Sequence, residues 1–321
     1  MMARTIVLPL DGTATSERAV AFTQVLAKHL PARVVLVRSV LLSPFSHEPG
    51  STPQPEVQEA CEELRLIAGR LRRAGVDVEW FVINDEAGWA IITAASEQGA
   101  DFIVMATHGR GTLGRLFIGS VADRVVRDGP TPVLLVPPMA SFNWPPPPHQ
   151  LRIVVATDGS PLATQAVAPA FDLALATGGE IILTWAMEPP LVTIEEELVS
   201  TPTKRVTVNE MLPPAMTTTA ERLQGQGVTT TTAVMVGRPA DVISELALAK
   251  GAHLIAMATH GRQGVPRLVL GSVAQGVLNQ TRVPLLLCGP HATRARGFDV
   301  TRAPDFMPGA TAEAEAGGLA R

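Results

Sequence analysis

Short apolar runs recur along the chain, separated by longer stretches in which apolar residues return at helical spacing. In the first half the runs are Thr5 to Pro9, Arg33 to Val37, Val76 to Val82, Ala100 to Met105 and Pro132 to Val136. In the second they are Arg152 to Ala156, Glu180 to Thr184, Val228 to Val236, Ala252 to Met257 and Pro284 to Leu287. Most are apolar almost throughout, the pattern of strands covered on both faces. Helices are predicted between them over Ser16 to Leu30, Ala87 to Gln98, Ala163 to Ala176 and Pro239 to Lys250, with further helices opening at Ser120 and Ser272. Ser160 supplies an N-cap with Pro161 behind it, and Gly178-Gly179 a stop. Alternation of strand and helix predicts an α/β chain made of two tandem open five-stranded parallel-sheet sandwiches.

The two halves repeat in detail. Met105-Ala-Thr-His-Gly-Arg110 returns as Met257-Ala-Thr-His-Gly-Arg262, and in each copy nine residues separate the glycine from a following Gly-Ser: Gly119-Ser120 and Gly271-Ser272. Residues 104–122 and 256–274 agree at 12 of 19 positions, and the differences cluster between the glycine anchors. The expected organisation is a unit over 1–138, a proline-rich linker over 139–150 containing Trp144-Pro-Pro-Pro-Pro148, a second unit over 151–290, and a disordered tail over 291–321. Polar, proline-dotted insertions lie at 43–55 and 188–203.

Composition narrows the partners. A chain of 321 residues with 46% hydrophobic and 17% charged residues has ample material for two buried cores. A net charge of −4 with 4% aromatic residues and no tyrosine argues against nucleic acid, which calls for a basic face and stacking rings. No leader-like N-terminus or 18-residue apolar span is present, so no membrane partner and a cytoplasmic location are expected. Cys61 and Cys288 occupy non-equivalent places and suggest neither a disulfide nor a metal site.

The chemistry gathers at the ends of strands. In open α/β sheets ligands sit beyond the carboxyl ends of the strands, where strand order reverses. Asp11-Gly12-Thr13, Asp158-Gly159-Ser160 and both His-Gly segments fall at such ends. Two glycines around a variable loop suggest a cradle, and the helix opening at Gly-Ser offers free N–H groups to a phosphate. Asp123 and Gln275 stand three residues after the serines, in capping-box spacing. Taken singly, each serine reads as an ordinary N-cap and each glycine as a turn residue; the doubling of the whole set argues for a ligand. His108 and His260 read as residues that tie down a turn rather than carry protons. Asp11 and Asp158 are open between Asx-turns and contact with a base. A helix terminus contributes about 0.3–1 kcal/mol per exposed charge, whereas micromolar affinity needs about 8 kcal/mol. A whole nucleotide therefore suits the site better than a bare anion.

Two look-alikes fail. Gly109-Arg-Gly111-Thr-Leu-Gly114 matches the dinucleotide fingerprint, but it follows the fourth strand and the second copy breaks it. Arg115-Leu116 stands where a P-loop requires Lys and Ser or Thr.

On these residues the chain resembles the universal stress protein family in a tandem, two-domain form, over about 4–137 and 151–289. The family pattern, Gly-x-x-Gly, nine residues, then Gly-Ser or Gly-Thr, marks its ATP-binding members. Here Gly109, Gly119-Ser120, Gly261 and Gly271-Ser272 match, while the first anchor is Ala106 and Ala258. The resemblance implies a Rossmann-like fold of the adenine nucleotide α-hydrolase type and ATP, with or without Mg²⁺ on its phosphates. It implies that Pro9-Leu10-Asp11 and Ala156-Thr157-Asp158 flank adenine, that Ser39 and Trp185 line the pockets, and that Val121-Ala122 and Val273-Ala274 give main-chain donors to phosphate. Met105, His108, Arg110, Met257, His260 and Arg262 complete the two expected sites. It also implies fifth strands that pair the halves into an intrachain pseudo-dimer, with a homodimer as a further option.

Three functions follow from this reading. The first is an ATP-binding regulatory stress protein with one pocket per half and little or no turnover. The second is a slow ATPase or nucleotidyl-transferring enzyme on the same scaffold. The third is a structural dimerisation module with empty pockets.

Overall fold

A computed structural model describes residues 4–42, 55–107, 118–138, 140, 151–187, 212–259 and 270–292. The first half runs β1 (Arg4–Pro9), α1 (Ala14–His29), β2 (Ala32–Val40), α2 (Pro55–Arg73), β3 (Asp77–Asn84), α3 (Ala87–Glu97), β4 (Phe102–Ala106), α4 (Ser120–Asp128) and β5 (Val133–Val136). The second half runs β6 (Arg152–Ala156), α5 (Pro161–Thr164), α6 (Val167–Thr177), β7 (Glu180–Met187), α7 (Pro214–Gly225), β8 (Thr229–Val236), α8 (Pro239–Ala249), β9 (Leu254–Ala258), α9 (Ser272–Gln280) and β10 (Leu285–Cys288). Most of the proline-rich linker, of the first insertion and of the C-terminal tail, and all of the second insertion, lie outside the described residues. No described helix is long and apolar enough to cross a membrane.

Each half is a parallel sheet, and the two are one sheet. Strand order is β3-β2-β1-β4-β5-β10-β9-β6-β7-β8, every neighbour parallel except the central pair. There Leu134 faces Leu286 and Leu135 faces Leu285 in antiparallel register. All four leucines are fully buried, each burial worth roughly 1.5–3 kcal/mol. The fifth strands thus pair the halves within one chain, as the resemblance implied. Because the seam is antiparallel, the carboxyl ends of the first five strands point to one edge of the sheet and those of the second five to the opposite edge.

Two apolar layers cover the sheet, and both run across the seam. One contains Leu26, Leu64, Phe171 and Leu223 from α1, α2, α6 and α7; the other contains Ile91, Val125, Ile243 and Val277 from α3, α4, α8 and α9. Arg4 reaches from β1 to Asp172 of α6, donating to its main-chain oxygen at 3.0 Å.

Local chemistry explains where the elements depart from expectation. The helix expected over Ala163 to Ala176 is split into α5 and α6. Pro169 has no N–H to give Gln165, and its ring would strike that carbonyl, so the helix restarts with Pro169 in a first turn. It ends on Gly178 at φ 62°, a left-handed C-terminal residue. The first helix starts at Ala14 because Thr13 caps it, accepting from the Ser16 N–H at 3.3 Å.

The α3–α4 and α8–α9 contacts each require one glycine, but not the same one. A Cβ on Gly88 would lie 2.6 Å from Cδ of Arg124, and a Cβ on Gly276 would lie 2.5 Å from Cβ of Ala240. Gly88 is equivalent to Ala240 and Arg124 to Gly276, so the repeat has exchanged small and large partners across the same contact.

Cys288 is wholly buried, which pushes its thiol up to about 12, whereas Cys61 is partly exposed. Iodoacetamide at pH 8 is therefore expected to label Cys61 alone in the native protein and both cysteines in urea. Mass spectrometry showing native labelling of Cys288 would contradict this burial.

Candidate functional site

The strand order reverses between β1 and β4, and again between β6 and β9, which are hydrogen-bonded neighbours. At such a switch the connections leave on opposite faces and open a crevice at the carboxyl ends. Pro9, Leu10 and Asp11 lie at the first switch beside Met105 and Ala106. Ala156, Thr157 and Asp158 lie at the second beside Met257 and Ala258.

Both aspartates form Asx-turns. Asp11 Oδ1 accepts from the Thr13 N–H at 3.0 Å and its hydroxyl at 2.6 Å; Asp158 Oδ1 accepts from the Ser160 N–H at 2.9 Å. The intervening glycines, Gly12 at φ 78° and Gly159 at φ 77°, take a left-handed conformation that L side chains disfavour. Leu10 is tied back to β2 and Thr157 to β7 by main-chain bonds of 2.9 Å to Val37 and Thr184. The same turn is thus fixed twice, at opposite edges of the sheet.

Across each switch stands a helix start. Gly119 and Gly271 are the N-caps of α4 and α9, and neither helix has a side-chain cap. Ser120 and Ser272 are exposed first residues of the helices, which corrects the reading of the serines as N-caps. The capping-box spacing of Asp123 and Gln275 goes unused, because each stands one position too far from the true cap. Asp123 instead lies 3.6 Å from Arg127, and burial raises its pKa against the pull of that arginine. The first intrahelical bonds are Asp123 N to Gly119 O and Gln275 N to Gly271 O. Consequently Ser120, Val121 and Ala122, like Ser272, Val273 and Ala274, have N–H groups with no acceptor in their own helix.

The backbone of the caps is informative. Gly119 has φ −65° and Gly271 φ −58°, values open to any residue. Ser, Asp or Asn would cap as well as glycine or better. Glycine at both caps is therefore not explained by the helix and fits a demand for close approach to the main chain.

The ends of the second strands correct a pairing. Pro9 faces Val37 and Ala156 faces Thr184, so Arg38 is equivalent to Trp185 and Ser39 to Ala186. Trp185 packs with the layer of α6 and α7, whereas Ala186 packs with that of α8 and α9. Trp185 is thus on the sheet face away from α9, and Ala186, not Trp185, stands at the position equivalent to Ser39. Ser39 faces the α4 side and donates to Asp85 O at 2.5 Å. Alternation of strand side chains held this information, but the register of β7 against β6 was needed to use it.

Thr107 and Thr259, which stand in the Met-Ala-Thr-His-Gly-Arg repeat, hold the ends of β4 and β9. Each is buried, directly after β4 or β9, with its N–H on Val136 O or Cys288 O at 3.0 Å. His108, Gly109, Arg110, His260, Gly261 and Arg262 lie outside the described residues.

The profile of the universal stress protein family matches residues 2–137 and 151–289. The chain belongs to that family. A universal stress protein of Mycobacterium tuberculosis is 27% identical over 298 residues, 88% of this chain and 96% of its own. A solved universal stress protein of Archaeoglobus fulgidus superposes with a TM-score of 0.63 at 20% identity, over 89% of this chain and 96% of its own. Another from the same organism, in complex with dAMP, covers 42% of this chain and 97% of its own at 23% identity and a TM-score of 0.33, a partial fit that places no ligand here.

Proposed function

We propose that this universal stress protein binds adenine nucleotide, with ATP as the ligand and one pocket in each half, in a regulatory stress-response role with little or no turnover. The observation that carries the reading is the doubled switch-point crevice: an Asx-turn on one side and, on the other, an uncapped helix whose N-cap is glycine without a conformational need for it. Its residues fit the group. The N–H groups of Val121-Ala122 and Val273-Ala274 would meet the phosphates, and Asp11 and Asp158 would flank the base. Charge-assisted main-chain bonds of about 1.5–3 kcal/mol each, with burial of the ring, reach micromolar affinity where a lone helix terminus does not.

Binding without rapid hydrolysis is favoured by the acids. Phosphoryl transfer calls for a carboxylate to hold a metal and a group to position water. Among the described residues, the acids repeated at both pocket edges are Asp11 and Asp158, and each spends an oxygen on its own turn.

Titration calorimetry with ATP is expected to show saturable binding at two sites, and a phosphate-release assay turnover below one per minute. No heat and no thermal shift at millimolar ATP would overturn the proposal. Turnover lost on His108→Ala with binding intact would favour the slow ATPase instead.

A further inference from the structure

The surroundings of the two switch points carry different charge. Glu86 is the N-cap of α3, and at the equivalent N-cap of α8 stands Arg238. Glu86 forms an ion pair with Arg124, whose guanidinium lies 5.8 Å from the centre of the Trp89 ring. This cluster has no counterpart in the second half: Gly276 replaces Arg124, and Asp241 replaces Trp89. Asp85 becomes Gly237, and Asp123, one turn inside α4, becomes Gln275. At these positions the first half holds Asp85, Glu86, Asp123 and Arg124, a net −2, and the second holds Arg238 and Asp241, a net of zero. Arg238 is 89% exposed and 3.8 Å from Asp241, a loose surface pair that leaves the guanidinium able to turn to an incoming anion.

These groups flank the first turns of α4 and α9. Asp123 is four residues beyond its N-cap, about 6 Å along the axis, and its carboxylate opposes the positive end of α4. Gln275 leaves the positive end of α9 unopposed. Glu86 touches Arg124 one residue further on, and Ala240, two residues after Arg238, packs on Gly276 at the same level of α9.

On the footing of the proposed nucleotide sites, we infer that the pockets are specialised by ligand charge: the second selects polyphosphates through Arg238, and the first accepts adenine ligands with little preference for phosphate. The acids around the first pocket repel successive phosphates, while the surroundings of the second do not.

Single-pocket variants test this. Gly119→Val leaves the second pocket and Gly271→Val the first; circular dichroism verifies folding, and Arg238→Glu and Glu86→Arg in the otherwise native chain give an independent route. Each protein is titrated with ATP, AMP and adenosine at 20 mM and 500 mM NaCl. The preference for ATP over adenosine is expected to be on the order of tenfold greater in the second pocket at low salt and to shrink at high salt. Arg238→Glu should weaken ATP at that pocket about tenfold without moving adenosine, and Glu86→Arg should strengthen ATP at the first. Equal preferences in both pockets, or an Arg238→Glu effect shared by adenosine, would overturn the inference while leaving nucleotide binding in place. No binding of any of the three by the native protein would overturn the nucleotide reading itself.

Discussion

Gly289→Val is expected to lower the unfolding free energy by about 3 kcal/mol, at the upper end of overpacking effects. Gly289 follows β10 and is buried. A Cβ there would lie 1.8 Å from the carbonyl oxygen of Val126 and 3.0 Å from its carbon, both main-chain atoms of α4 in the other half. A flexible side chain could swing away, but a helix backbone cannot. Either α4 shifts, disturbing Val125 and Val126 in their layer, or the end of β10 leaves the seam. Gly289→Ala should produce much of the effect. Gly225→Ala is the contrast: the last residue of α7 has open space around its would-be Cβ and should gain up to about 1 kcal/mol from helix propensity. Urea melts of the three variants measure this. A Gly289→Val protein within 0.5 kcal/mol of the native one would contradict the close approach of the halves.

The strands were the most legible part of the chain, because runs such as Arg33 to Val37 and Glu180 to Thr184 are apolar on both faces and can only be central strands here. Helix ends were less so. Pro169 could have been read as a break in the sequence, since a proline in a helix interior is costly, whereas the extension of α1 back to Ala14 depended on which of several hydroxyls became the cap. For the site, the repeat pointed to both switch points but assigned their parts by residue type. Serine looked like the cap because serine caps well; the structure gives that position to glycine and so leaves the serine N–H groups outward. Trp185 looked like a pocket wall because it stands near a strand end, and side-chain alternation puts it on the other face. The continuity of the sheet was visible only through the family resemblance, since nothing in Leu134 or Leu286 distinguishes a seam strand from any other buried edge.

The second large effect concerns function. Combining Gly119→Val with Gly271→Val is expected to weaken ATP binding at least a hundredfold while leaving the fold nearly intact. The two halves of this expectation have separate grounds. At φ −65° and −58° with ψ 156° and 153°, both caps are extended backbone that valine adopts readily. The structural cost is then that of a poorer N-cap, about 1 kcal/mol per helix. A phosphate that meets Val121-Ala122 or Val273-Ala274 must pass close to the cap, where two added methyl groups would hold it beyond hydrogen-bond distance. Losing two charge-assisted main-chain bonds at about 1.5–3 kcal/mol each amounts to more than a hundredfold in affinity. Calorimetry with ATP and a urea melt on the same protein separate the outcomes. Unchanged affinity in a folded double variant would mean that the glycines answer to something other than a ligand. An equal fall in stability and affinity would mean that they serve the helices first. Only a loss of binding that exceeds this small cost in stability fits an N-cap shaped by what approaches it.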